Sequence, residues 1–138
     1  MAFQIPEGLN PSVYPLAWLV GRWQGNGHST WAGSKEIEFG QQVEFVSNGG
    51  PYLYYMSQTW TMDEQGQPDQ PLVLETGFWR MSNEKSVEVV MSHPEGWVEI
   101  WAGSIVSPGQ IRLTTDVVAR TKSADLDYTA GSRLFGNV

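Results

Sequence analysis

The side chains best placed to do chemistry are two histidines and two carboxylates that stand among apolar neighbours. His28 leads into Ser29-Thr30-Trp31, and His93 precedes Pro94 in a turn-like stretch, where a histidine commonly serves as a local hydrogen-bond partner. An imidazole can move a proton near neutral pH or ligate a metal. The two are not spaced as a paired metal motif, and the chain has no cysteine, so zinc chemistry is unsupported. The serines lack a nucleophile elbow, which leaves a hydrolase triad equally unsupported. Glu75 and Glu99 differ from the other carboxylates, which fall mostly on outward strand positions or in loops. Each is expected to point inward and pair with Arg80, Arg112 or Arg133, because a buried charge is normally paired. A structural ion pair is the plainer role for them and catalysis the sharper one.

These residues must be positioned by strands. The stretch Gly21-Arg22-Trp23-Gln24-Gly25-Asn26-Gly27 alternates glycine with larger residues, and Gly21, Trp23, Gly25 and Gly27 share one face of an extended segment. Glycine weakens a strand, so the alternation suggests that a crossing strand, an aromatic ring or a ligand comes close to that face. A strand bent for packing alone is equally compatible. The stretch is not a phosphate loop, since it lacks the Gly-Lys-Ser/Thr ending.

From Lys35 onward, β patterning dominates. Ile37, Phe39, Val43 and Phe45 face one way, as do Val87, Val89 and Met91, and as do Trp97, Glu99 and Trp101. Asn48-Gly49-Gly50-Pro51, Ser82-Asn83-Glu84, His93-Pro94-Glu95-Gly96 and Ser107-Pro108-Gly109 read as turns, and 63–71 as a polar loop. Evenly spaced strands without intervening helices predict an all-β antiparallel meander closed into an up-and-down barrel. The one helix is expected at Leu16–Val20, capping the barrel, after an extended lead over residues 1–14. Gly136-Asn137 is a hairpin-turn signal, so a further strand is expected after Val138.

The length of 138 residues fits one domain, residues 1–138, with one core. Seven tryptophans suggest a lined cavity, although an aromatic-rich core would use them too. The net charge of −7 argues against nucleic acid and anionic membrane surfaces as partners. No apolar run approaches the length of a membrane span, the first ten residues lack a signal-peptide pattern, and the absence of cysteine suits the cytoplasm.

Taken together, these residues resemble the nitrobindin family. The resemblance runs from about Leu16 to Val138, and its most specific element is the G-x-W-x-G-x-G motif of Gly21, Trp23, Gly25 and Gly27. Glu75-Thr76-Gly77-Phe78-Trp79-Arg80, His93-Pro94-Glu95-Gly96-Trp97-Val98-Glu99 and the region around Arg133 support it. It implies a fatty-acid-binding-protein-like β-barrel that holds ferric haem b (iron included) near its mouth and isomerises peroxynitrite to nitrate. His28, Ser34, His93, Trp97 and Trp101 are the candidate pocket residues, and Glu75, Arg80, Glu99 and Arg133 the buried ion-pair candidates. Where the family motif continues with Pro-Thr, this chain has Ala32-Gly33, and Ser34 is only adjacent. The family's proximal histidine lies on a last strand, which here is expected beyond Val138. The rival reading is a haem-free barrel carrying a small hydrophobic ligand. A structural or partner-binding barrel is a third.

Overall fold

A computed structural model describes residues 6–29, 37–124 and 132–136. Among the described residues, eight strands form one antiparallel sheet in which each pairs with the next in sequence, the up-and-down order of a meander barrel. They are β1 (Gly21–Ser29), β2 (Ile37–Val46), β3 (Leu53–Met62), β4 (Pro68–Met81), β5 (Ser86–His93), β6 (Trp97–Ser107), β7 (Gln110–Arg120) and β8 (Ser132–Gly136). Among the described residues, no helix is long and apolar enough to cross a membrane.

The helix differs from expectation. It is a 3-10 helix over Pro11–Leu19, so the lead is not extended as far as residue 14 and the helix does not wait for Leu16. Asn10 caps it by accepting a hydrogen bond from the Ser12 N–H at 3.0 Å. A 3-10 turn lacks the 3.6-residue period that helix patterning looks for. Its buried Val13, Leu16, Ala17 and Leu19 join one core with Phe45, Leu53, Trp79, Val87 and Ile111. The polar loop is also shorter than expected, because Pro68 to Pro71 already belong to β4.

Register sets the inward rows. Leu53, Trp79, Val89 and Trp101 lie side by side across β3 to β6, and Phe45, Tyr55, Gly77, Met91 and Glu99 form the next row across β2 to β6. Two inward glycines are where backbones meet. A Cβ on Gly77 would collide with the Val90 carbonyl, and one on Gly103 with the Arg112 carbonyl. The glycines of β1 behave otherwise. Gly21, Trp23, Gly25 and Gly27 do share the face that Phe45 buries, pairing with Phe45, Val43, Gln41 and Phe39. Among the described residues, however, a Cβ on Gly21 or Gly25 meets nothing within 4 Å, so the expected close approach is not found at those two positions.

Candidate functional site

Among the described residues, the barrel interior holds two polar clusters. In the first, Arg133 on β8 grips Glu75 on β4 with both ends of its guanidinium. Nη1 donates to Oε2 at 2.6 Å and Nη2 to Oε1 at 3.1 Å. The Tyr55 hydroxyl on β3 donates to the same Oε2 at 2.9 Å. A bidentate Arg–carboxylate pair is strong and orientation-specific. The Arg133 guanidinium also lies over the Trp101 ring, 4.8 Å from its centroid. Burial, and after it the Glu75 carboxylate, raises the Tyr55 phenol far above its ordinary pKa. Burial alone would lower Arg133, but Glu75 outweighs it and holds the guanidinium firmly charged. Nearby, Gln41 Nε2 donates to Ser57 Oγ at 3.2 Å.

The second cluster sits at the β5–β6 turn. Gly96 adopts φ +102°, a left-handed conformation that glycine takes without strain, and so lets the chain reverse. The reversal pairs His93 with Trp97 and stacks their rings 3.5 Å apart at 7°. His93 Nε2 then meets Glu99 Oε1 at 2.9 Å, with both side chains buried. Glu99 Oε2 has no hydrogen-bond partner among the described residues, and neither do the indole N–H groups of Trp79 and Trp101.

The expected site residues therefore divide. Glu75 and Arg133 form one pair, while Glu99 takes His93 rather than an arginine. Arg80 takes no part inside: its strand position faces outward, and it pairs with Glu88 at 3.5 Å in water's reach. Arg112 is likewise exposed on β7. Trp101 is buried and Trp97 half-buried. Half-exposed Trp23 donates from Nε1 to the Leu19 carbonyl at 3.0 Å, tying the motif to the helix end. His28 pairs in register with Glu38, and its side chain lies outside the described atoms, as does Ser34 altogether. Asn137, the second residue of the expected turn, also lies outside the described residues. Tyr55, Ser57 and Gln41 were not anticipated. Period-two parity puts Tyr55 and Ser57 on the face of Leu53, the one sequence signal that could have found them.

A porphyrin needs flat apolar walls and an axial ligand. Among the described residues, Trp79 and Trp101 are aromatic but covered by their neighbours, Trp97 is half-buried, and the described imidazole, His93, is held by Glu99 and stacked on Trp97. The described side chains thus supply aromatic residues to the barrel interior and no free imidazole for ligation. An outer groove of about 770 Å³ lined by Gln24, Gln42, Gln58 and Trp60 lies on the opposite face of the sheet from this interior.

Residues 12–138 match the family described as "THAP4-like, heme-binding beta-barrel domain". A "Ferric nitrobindin-like protein" of Cutibacterium acnes is 50% identical over 139 residues, covering 100% of this chain and 83% of the relative. A "Peroxynitrite isomerase" of a Nocardioides species is 39% identical over 138 residues, again with 100% of this chain and 83% of the relative covered. The crystal structure of Rv2717c from M. tuberculosis is similar with a TM-score of 0.76 and 30% identity, over 91% of this chain and 79% of that one. The up-and-down strand order and these matches agree: the chain belongs to the nitrobindin-like, haem-binding β-barrel family.

Proposed function

We propose that this chain binds ferric haem b and isomerises peroxynitrite to nitrate, working in the cytoplasm. One observation carries the reading: relatives named for ferric nitrobindin and for peroxynitrite isomerase align with the whole of the chain, over the strands that build the barrel. The haem-free carrier has no comparable support. When bound, ferric haem supplies the reactive centre, while a protein supplies an axial ligand and a restricted pocket. The described residues serve the pocket and not the ligation. The Tyr55–Glu75–Arg133 cluster ties β3, β4 and β8 together, and the His93–Glu99 pair fixes the β5–β6 end, so the wall is held in place before any ligand arrives.

The resemblance puts the proximal imidazole after Val138. Ferric haem titrated into residues 1–138 is then expected to bind weakly, without a defined histidine-ligated Soret band. A chain extended to include that histidine is expected to give a sharp band and to raise nitrate yield from peroxynitrite above that of free haem. An extended chain that leaves both at the level of free haem overturns the proposal.

A further inference from the structure

The groove on the outer face of the sheet is built from parts for which a haem pocket has no use. Register sets Gln24, Gln42, Gln58 and Leu74 side by side across β1 to β4, all pointing away from the interior. Gln24 Nε2 lies 3.5 Å from Gln42 Oε1, a loose contact, and the Gln58 amide makes no hydrogen bond among the described residues. In the next outward row, Trp60 on β3 stands opposite Gly40 on β2. A Cβ on Gly40 would sit 2.5, 2.6 and 2.8 Å from Trp60 Nε1, Cε2 and Cζ2. Near-equal distances to adjacent ring atoms put that point over the face of the indole, so the ring lies flat across Gly40. Glycine in mid-strand is costly, and here its missing side chain leaves the room that the ring occupies. Trp60 Nε1 has no hydrogen-bond partner among the described residues, so packing on Gly40 sets the ring's orientation. The half-buried ring keeps its other face toward the groove that it lines.

We propose that this groove binds an uncharged glycan, a chain of pyranose rings joined through equatorial bonds. Such a ring has two chemistries: its flat faces carry C–H groups, and its rim carries hydroxyls that both donate and accept. The C–H face suits the negative face of an indole that is held flat. The hydroxyl rim suits primary amides, because each offers two N–H donors and a carbonyl acceptor to neighbouring hydroxyls. Trp60 and the glutamine row are one outward step apart on the same strands, so platform and amides run on adjacent tracks. Crossing from β1 to β4 the row spans about 14 Å, room for roughly three sugar rings. Charge selects a neutral ligand. Among the described residues the groove's lining includes no lysine or arginine, and its charged members, Asp69 and Glu95, are exposed carboxylates. These carboxylates and the net charge of −7 repel phosphorylated, sulfated or uronic sugars, while a neutral sugar's hydroxyls can donate to them.

Calorimetric titration of cellotetraose into the chain, with the Trp60 indole N–H followed by NMR, tests this. Saturable binding is expected with Kd below about 10 mM, the weak range that suits an open groove, together with a shifted Trp60 resonance. Maltotetraose, whose axial linkages curl the chain off a flat surface, is expected to bind at least about fivefold more weakly. Trp60→Ala is expected to weaken cellotetraose about tenfold, the loss of an aromatic anchor. Gln42→Leu keeps the side chain's bulk and is expected to weaken it about fivefold through the lost amide. Both side chains face outward, so circular dichroism is expected to stay unchanged. Gly40→Val drives a side chain into the ring and is expected to weaken binding as Trp60→Ala does, with the indole still present. No saturation at that concentration overturns the proposal, as does binding that Trp60→Ala and Gln42→Leu both leave unmoved. Equal affinity for maltotetraose or for a hyaluronan tetrasaccharide, which is anionic, overturns it too. A proline-rich peptide that binds where cellotetraose does not also overturns it and assigns the groove to peptide.

Discussion

Glu75 and Glu99 are both buried and inward-facing, yet they are satisfied in opposite ways. Glu75 accepts three hydrogen bonds spread over both its oxygens, two of them from a guanidinium that is charged at every ordinary pH. Glu99 has one partner on one oxygen, an imidazole whose charge is conditional, and none for the other among the described residues. The reach differs as well. Arg133 comes from 58 residues away, so the first cluster closes distant parts of the sheet on each other, whereas His93 lies 6 residues from Glu99 across one hairpin. The first carboxylate is a girder. The second is a local brace that keeps one acceptor in hand.

That contrast can be broken most forcefully at Arg133. Arg133→Met strands a buried carboxylate and is expected to cost about 3 kcal/mol in urea denaturation, at the low end for a buried pair. The low end applies because the Arg133 side chain is 32% exposed, against 6% for Glu75. Glu75→Gln is expected to cost less, about 1–2 kcal/mol, since the freed guanidinium can turn to water. Equal losses would mean that the two ends of the pair are equally sequestered.

The brace should yield more gently. His93→Phe keeps a ring against Trp97 but removes the partner of Glu99, with an expected loss of about 2 kcal/mol. Adding Glu99→Leu is expected to recover most of it, to within about 1 kcal/mol of the original protein, because replacing both partners leaves no stranded group. Failure to recover would show that Glu99 Oε2 has a partner of its own.

The smallest effect at neutral pH belongs to Tyr55, and it sharpens the comparison through pH. Tyr55→Phe removes one of three hydrogen bonds to Glu75 and is expected to cost about 1 kcal/mol at pH 7. Burial, then Glu75, raises the phenol in the folded protein, so the fold favours its neutral form. An unfolded tyrosine ionises near pH 10. Stability is therefore fully present below about pH 10 and falls as pH rises beyond it. Urea midpoints from pH 7 to 11 should show that alkaline fall, flattened in Tyr55→Phe. A fall equally steep in the variant would assign it to another group.

The sequence shows much of this and hides the rest for identifiable reasons. Faces are legible because a strand repeats every two residues, as Val87, Val89 and Met91 demonstrate by all being buried. Glu75 and Glu99 stand out as carboxylates in apolar company. Arg80, only five residues from Glu75, could be excluded from the sequence by parity, whereas the reach of Arg133 could not be read. Five is an odd offset, so the two face opposite ways, while β8 reaches Glu75 only through the curvature of the sheet. The His93–Glu99 contact was within reach, since a hairpin that pairs His93 with Trp97 puts Met91 opposite Glu99 and all four on one face. The expected close approach is absent at Gly21 and Gly25 among the described residues and present at Gly77 and Gly103, where the requirement comes from a neighbouring strand's backbone and leaves no local pattern.

In the proposed function the two clusters hold the barrel wall around the haem without ligating the iron. Ferric haem titrated into the original protein and into the His93→Phe, Glu99→Leu double variant tests it most directly, with the Soret band as the readout. The same weak Soret absorption, without histidine ligation, is expected in both, because His93 belongs to Glu99 and Trp97. A band lost or shifted only in a double variant that remains folded would contradict it and make His93 the ligand.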